Sequence, residues 1–252
     1  MAGWSLRGRG GASLNNEKRV FGKAGFCIVA EIERPPRAIV EQLGQFPVSI
    51  IGDGMERRGI MDPGIKALNR ELKMCGTAVT IETRAADNLM IHAALKVAQA
   101  GDVLVINTHG DISAGIWGEL TTRMAIRKSL SGLVMDGSVR DSREIAGSGF
   151  PVFSRGINPC GGGHDGGGQV NLPISCGGVA VHPGDVIVGD GDGVVVIPMA
   201  MAEEAIAAAR KRIEIEQGRL AAIASGDIDA IYPSWLIPTL RAKGVLSENE
   251  TL

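Results

Sequence analysis

Asp102-Val-Leu-Val-Ile-Asn107 and Gly132-Leu-Val-Met-Asp136 are the stretches on which the fold turns, with Trp117-Gly-Glu-Leu120 between them. Both runs are apolar without a break and too short for buried helices, so they read as strands covered on both faces. Residues 117–129 between them read as a helix, which makes the unit a parallel βαβ crossover. Outward from this unit the same alternation continues. Thr77-Ala-Val-Thr-Ile-Glu-Thr83 is a strand, and Asp87-Asn88 caps a helix running to Ala100. A short helix at 141–147 and the strand Phe150-Pro-Val-Phe-Ser154 follow.

The flanks are less regular. Residues 1–25, rich in Gly, Ser, Asn and Arg, are expected to form a mobile arm. A short helix is expected from Pro36 to Gln45, and turns at Gly52-Asp-Gly54 and Asp62-Pro-Gly64. Downstream, Val170-Asn-Leu-Pro-Ile174, Gly178-Val-Ala-Val181, Asp185-Val-Ile-Val188 and Gly193-Val-Val-Val-Ile197 read as short strands separated by turns. A long helix from Ala200 to Ala224 and a short one near Ser234 to Lys243 end the chain. No composition break divides it, so the expectation is a single α/β domain over residues 26–252, with parallel βαβ units and a strand-rich second half.

Composition narrows the function. Net charge is −2 over 252 residues, which provides no basic field for nucleic acid or an anionic membrane. Nine aromatics (five Phe, three Trp, one Tyr) are too few for a base-stacking platform. Glycine, at 36 residues, is about twice as frequent as the usual ~7%, without a collagen period. Cys27, Cys75, Cys160 and Cys176 form no CxxC pair, which suits a reducing compartment. With no apolar leader and no run of ~18 apolar residues, the expectation is a soluble cytoplasmic protein.

Three places could carry chemistry. The loops after 102–107 and 132–137 open at the carboxyl ends of parallel strands, where α/β sheets bind ligands. They bring Glu119 and a helix N-terminus near Arg140 and Asp141, a set that suits a small carboxylate and a divalent cation. The plainer reading is that Glu119 complements a helix dipole and that Arg140 and Asp141 are a solvated pair. Glu216 is the second place. It projects onto the apolar stripe Ile206, Ala209, Ile213, Leu220 and Ile223, where it either meets a cation or marks the stripe's end. The third is Cys160-Gly-Gly-Gly-His164-Asp165 and the glycines that follow; this spacing completes no zinc signature and reads as a flexible loop over the site. Gly161–Gly168 lacks the Lys-Ser/Thr of a phosphate loop, and Gly189-Asp-Gly-Asp-Gly193 lacks the strand-to-helix context of a dinucleotide site. His92 and His182 read as structural.

Asp87-Asn88, Gly101-Asp-Val-Leu-Val, Trp117-Gly-Glu-Leu120, Gly137-Ser-Val-Arg-Asp141 and the tail Val170-Asn-Leu-Pro-Ile-Ser175 together resemble the RraA-like family. So does Pro183-Gly-Asp-Val-Ile-Val-Gly-Asp-Gly-Asp-Gly193, and the likeness covers roughly residues 35–235. It implies a swivelling β/β/α-type domain assembled as a homo-oligomer, a trimer or hexamer. The family contains metal-dependent aldolases that cleave 4-hydroxy-4-methyl-2-oxoglutarate and 4-carboxy-4-hydroxy-2-oxoadipate, and also a non-catalytic regulator of ribonuclease E. The aldolase pattern is an acid, twenty intervening residues, then Arg-Asp and a further acid three residues on; Glu119, Arg140, Asp141 and Glu144 satisfy it. Glu119 stands where these aldolases usually carry Asp.

By resemblance, Asp141 ligates Mg²⁺, Mn²⁺ or another divalent cation, and Arg140 holds a 2-oxo acid and its enolate. Gly118, Glu119, Leu120, Thr121 and Asn88 bind substrate, Glu119 orients water, and Glu216 reaches a neighbouring subunit's site. The chemistry is coherent: cleaving a C–C bond beside a 2-oxo group leaves a pyruvate enolate, whose charge a metal and a fixed guanidinium can stabilise. Oxaloacetate decarboxylation passes through the same enolate. The alternatives are a regulator acting by protein binding and a diverged oxo-acid or sugar-acid lyase or isomerase.

Overall fold

The computed structural model describes residues 19–226 and 231–252. Strand β5 (Asp102–Asn107) is buried at every position. It lies between β4 (Met74–Thr83) and β7 (Gly132–Val139), parallel to both, and β8 (Val152–Ile157) continues the parallel set. Strand alternation then supplies two cores at once. Leu104 and Ile106, with Leu133 and Met135, face α3 (Leu89–Val97), α4 (Glu119–Arg127) and α5 (Ser142–Gly147), meeting Ile91, Leu95, Ala125 and Ile145. Val103 and Val105, with Val134 and Phe153, face the hairpin of β10 (Ile174–Cys176) and β11 (Val179–Val181). The layers are therefore β/β/α.

A third core joins the strand-rich half to the rest. The hairpin of β12 (Val186–Asp190) and β13 (Gly193–Ile197) runs antiparallel to β4 through β12. Its outer face is covered by α1 (Arg37–Leu43), α2 (Val48–Gly54) and α6 (Ala202–Ala224), through Leu43, Ile51, Ile206 and Ala209. The remaining strands are short. β1 (Val20–Lys23) and β2 (Phe26–Val29) form a hairpin, and β9 (Gly168–Val170) lies parallel to β2 and antiparallel to β4. β3 (Lys66–Ala67) edges β8, β6 (Gly115–Trp117) joins β7, and α7 (Leu236–Ala242) lies near the carboxyl terminus. Among the described residues no helix is long and apolar enough to cross a membrane.

At the amino end of β5, Asp102 is buried and receives Arg34 through Nε and Nη2 at 2.9 and 2.8 Å, and the Gln99 N–H at 2.7 Å. This charge is fully paired, as a buried carboxylate must be.

Four expectations are corrected. The arm expected over residues 1–25 contains β1, held by backbone pairing to β2 although its side chains are exposed; residues 1–18 lie outside the described residues. Gly52-Asp-Gly54 is the last turn of α2 rather than a loop, because the burial of Val48, Ile50 and Ile51 outweighs the glycine signal. The single strand expected at 170–174 is divided between two sheets: β9 ends at Val170, Asn171 is left-handed (φ +59°), and Pro173 has no N–H to give a ladder. The apolar stripe of α6, expected to run on to Ile223, is buried only as far as Ala209 and half-buried at Ile213, with Leu220 and Ile223 exposed, so within this chain it ends before Glu216, one of the two readings open for that residue.

Candidate active site

The parallel order of β4, β5, β7 and β8 brings the loops that follow them to one edge of the sheet. After β5 the chain loops into β6, parallel to the end of β7, and enters α4 at Gly118. After β7 come Arg140 and Asp141. Arg140 donates its N–H to the Trp117 carbonyl at 2.8 Å, which fastens the two loops together.

Asp141 adopts the left-handed conformation (φ +53°, ψ +40°), sparsely populated by residues other than glycine. It occupies the N-cap position of α5, where its carbonyl accepts the Ile145 N–H at 3.0 Å, yet its side chain makes no cap bond to that helix. Its carboxylate points to the start of α4, where Oδ2 accepts the Glu119 N–H at 3.0 Å and lies 3.6 Å from Arg140 Nε. No donor among the described residues reaches Oδ1. Gly118 makes this approach possible: a Cβ there would stand 2.5 Å from Asp141 Oδ2 and 3.1 Å from Arg140 Cγ and Nε.

The start of α4 is otherwise well braced. Thr121 Oγ1 accepts the Gly118 N–H at 3.0 Å, and Thr122 Oγ1 accepts the buried Trp117 Nε1–H at 2.7 Å while donating to the Gly118 carbonyl. The N–H groups of Leu120 and Thr121 meet no acceptor among the described residues and remain open to an anion. Glu119 Oε1 is gripped by Arg123 through Nε and Nη2 at 2.8 and 2.6 Å. Beyond Glu119 an open groove of about 620 Å³ runs between α4 and α5, lined by Arg123, Arg143 and Glu144 among others.

The glycine-rich loop arrives from β8 and forms a third side. A Cβ on Gly161 would lie 2.9 Å from Arg140 Nη1, and one on Gly162 would lie 2.6 Å from Ile116 Cγ2. The flexible loop expected here is instead fastened down. Ala86 and Asn88 exchange backbone bonds with Gly163 of the loop: the Gly163 N–H gives to the Ala86 carbonyl at 2.8 Å, and the Asn88 N–H to the Gly163 carbonyl at 2.9 Å. Asp87 Oδ2 accepts the Asp165 and Gly166 N–H groups at 2.9 and 2.8 Å, and its Oδ1 accepts the Leu89 N–H at 2.9 Å. Burial works to raise the Asp87 pKa, but these three amides and the nearby His164 outweigh it and hold the carboxyl below its ordinary value. Asn88 Oδ1 is buried with no donor among the described residues.

Gly118, Glu119, Leu120, Thr121, Arg140, Asp141 and, across the glycine loop, Asn88 are thus gathered at one edge. Glu216 is not among them. It is half exposed on α6, 3.8 Å from Arg212 Nε, and α6 packs on α1 and α2. Cys160 is exposed on the loop, and no group of three or more His, Cys, Asp or Glu among the described residues could enclose a metal. Sequence reasoning assigned Asp87 only to a helix cap. The glycine run four strands later was the sole sign that a backbone must approach something closely.

The Aldolase/RraA (RraA-like) family profile matches residues 48–196. The chain belongs to this family. A relative from Halalkalibacterium halodurans, provisionally named a 4-hydroxy-4-methyl-2-oxoglutarate aldolase, is 37% identical over 184 residues, 73% of this chain and 88% of its own length. A second protein with the same provisional name, from Aromatoleum aromaticum, is 29% identical across 60% of this chain and 96% of its own. Among solved structures, RraAS2 of Streptomyces coelicolor, described as an unusual member of the RNase ES inhibitor RraA family, superposes with a TM-score of 0.66. It is 28% identical and covers 73% of this chain and 97% of its own. Family membership accounts for the β/β/α layering and leaves both an aldolase and a regulator as precedents.

Proposed function

We propose that this chain is a divalent-metal-dependent pyruvate aldolase. It cleaves a 4-hydroxy-2-oxo di- or tricarboxylate through the pyruvate enolate and decarboxylates oxaloacetate as a side activity. The observation that carries the reading is Asp141, held in a left-handed conformation so that its carboxylate turns away from its own helix and lies beside Arg140 at the start of α4. Asp enters this conformation more readily than most residues, and here it serves to direct the carboxylate. The provisional aldolase names of the relatives support the same reading.

The donor set fits Mg²⁺ or a similar hard cation. One carboxylate with a free oxygen, the rest of the shell being left to water and substrate, is the way Mg²⁺ is held, whereas no closed set of nitrogen and sulfur ligands for zinc exists among the described residues. Asp141 would hold the ion, which would supply Lewis-acid polarisation of the 2-oxo group. The chain's own groups do the rest. The open N–H groups of Leu120 and Thr121 bind the substrate carboxylate, and Asn88, across the glycine loop, is the further substrate-binding residue that the family resemblance implies. The Arg140 guanidinium, permanently charged, stands beside the developing enolate oxygen. Glu119, with Oε1 fixed by Arg123, keeps Oε2 free to orient a water and carry its proton.

The protein would act as a homo-oligomer, trimer or hexamer, with Glu216 supplied to a neighbouring site. The exposed continuation of the α6 stripe, Leu220 and Ile223, offers a surface for that assembly. Full activity in Glu216→Ala would remove this part of the proposal. The rival is regulation by protein binding, favoured by the likeness to an RNase inhibitor family member.

The test is pyruvate release from oxaloacetate and 4-carboxy-4-hydroxy-2-oxoadipate, with Mg²⁺ and with EDTA, for wild type and Asp141→Ala. Release that needs the metal and is lost in Asp141→Ala supports the aldolase. Absence of release from both compounds in the metal-replete wild type sinks it and turns attention to protein partners.

A further inference from the structure

Asp87 has no part in the chemistry above, yet it is the most heavily engaged carboxylate near the site. It is buried (4% exposed) and receives three backbone N–H groups, one from the helix it precedes and two from a loop nearly eighty positions away. The loop glycines are shaped to that contact. A Cβ on Gly166 would lie 2.8 Å from Asp87 Cγ, and one on Gly162 would lie 2.8 Å from the Ala86 carbonyl oxygen. Five residues before Gly166, at the other end of the same loop, Gly161 abuts Arg140 Nη1. The glycine run thus connects a buried anion at one end to the substrate-binding guanidinium at the other.

We propose that Asp87 is a positioning residue for Arg140: it latches the 160–167 loop so that bare glycine backbone walls the guanidinium and sets the space left for substrate. The proposal rests on the aldolase reading only for its kinetic consequence, since the latch itself is a matter of packing. A carboxylate is suited to the task because it offers acceptors alone. An amide in the same place presents one oxygen and an NH₂ group, and that NH₂ would face N–H donors. Of the three donors, the Gly166 N–H is buried and the Asp165 and Leu89 N–H groups are part-buried, and the loop, joined here by two of them, is the part that yields. Loss of the latch therefore loosens substrate binding while the metal carboxylate and the start of α4 stay in place.

The experiment compares wild type, Asp87→Asn and Gly162→Ala, the last of which lifts the loop without touching the carboxylate. Three readouts are taken: hydrogen exchange of the 158–170 segment, the rate at which phenylglyoxal modifies Arg140 relative to Arg123 and Arg143 in the same molecule, and KM and kcat for pyruvate release. Both variants are expected to exchange faster in 158–170 only, to expose Arg140 to modification several-fold faster with Arg123 and Arg143 unchanged, and to raise KM about tenfold with kcat within twofold. Unchanged exchange and unchanged Arg140 modification in both variants would overturn the latch. A uniform rise in exchange along the chain would overturn it too, by showing Asp87 to be a general stability element. If wild type releases no pyruvate, the aldolase reading fails while exchange and arginine modification still decide whether Asp87 positions Arg140. A latch confirmed by those two readouts with KM unmoved would overturn the claim that it sets the substrate's space.

Discussion

Gly118→Ala tests whether the site depends on close approach at the start of α4. Gly118 has φ −148°, ordinary extended backbone, so alanine is not excluded by conformation. The obstacle is what the methyl group meets. Its carbon would lie 2.5 Å from Asp141 Oδ2, and since ordinary contact begins near 3.4 Å, the carboxylate must retreat by about 0.9 Å. Arg140, 3.1 Å from the same carbon at Cγ and Nε, yields with it. The 3.0 Å bond from the Glu119 N–H does not survive a shift of that size. A hydrogen bond to a charged group contributes roughly 1.5–3 kcal/mol, and removing glycine's freedom in the unfolded chain returns about 0.4–1, so the net destabilisation is about 1–2 kcal/mol. Activity suffers more, because a displacement near 1 Å in a positioned group costs on the order of 10²-fold. The assay is kcat/KM for metal-dependent pyruvate release beside the urea midpoint, with Gly147→Ala as control, since a Cβ there meets nothing within 4 Å. A Gly118→Ala protein with kcat/KM within twofold of wild type would refute the reasoning.

Three further outcomes are expected. Gly218→Ala, inside α6 with open space at the added carbon, should raise stability by about 1 kcal/mol, visible as a higher Tm; a lower Tm would show that this face is covered. Thiol labelling at pH 8 should modify exposed Cys160 readily and leave Cys75 unreacted until unfolding, because burial pushes the Cys75 thiol up to about 12; labelling of Cys75 in the native protein contradicts this. Because the folded Asp87 pKa is depressed, its contribution to stability is fully present above the unfolded value near ~3.9 and is lost as pH falls through the folded one. The stability difference between wild type and Asp87→Asn should therefore narrow on acidification below about pH 4, and a constant difference down to pH 2 would contradict the shift.

The legible parts of this chain are those whose burial is dictated by near neighbours in sequence. β5 was readable because a parallel strand between two others must be apolar on both faces, and its range is the one expected, Asp102–Asn107. Once β5 and β7 are placed side by side in parallel, Glu119 and the Arg140–Asp141 pair have to meet at one edge. Other features depend on partners far along the chain. Gly52-Asp-Gly54 looks like a turn until α6 is packed on it, and β1 looks like a loose arm until β2 pairs with it. Asp87 looks like part of a helix cap, and one oxygen does take the Leu89 N–H beside the N-cap Asn88, but the other serves amides at 165 and 166. Glu216 projects onto the same stripe of α6 as Ile206 and Ala209, and only the packing shows where that stripe leaves the core.

The seating of β9 has a practical consequence for anyone who trims or tags this protein. Its three residues leave the glycine loop and enter the sheet directly, with β2 on one side and β4 on the other. A shortened version starting at residue 30 would strip β2 away and turn β9 into a bare margin of the sheet, with backbone groups free to recruit another chain. Such a trimmed protein would gain a tendency to self-associate through that margin while its central strands remained intact. The amino-terminal hairpin, modest in size and exposed along β1, is best kept whole, and a purification handle is better attached at the opposite terminus.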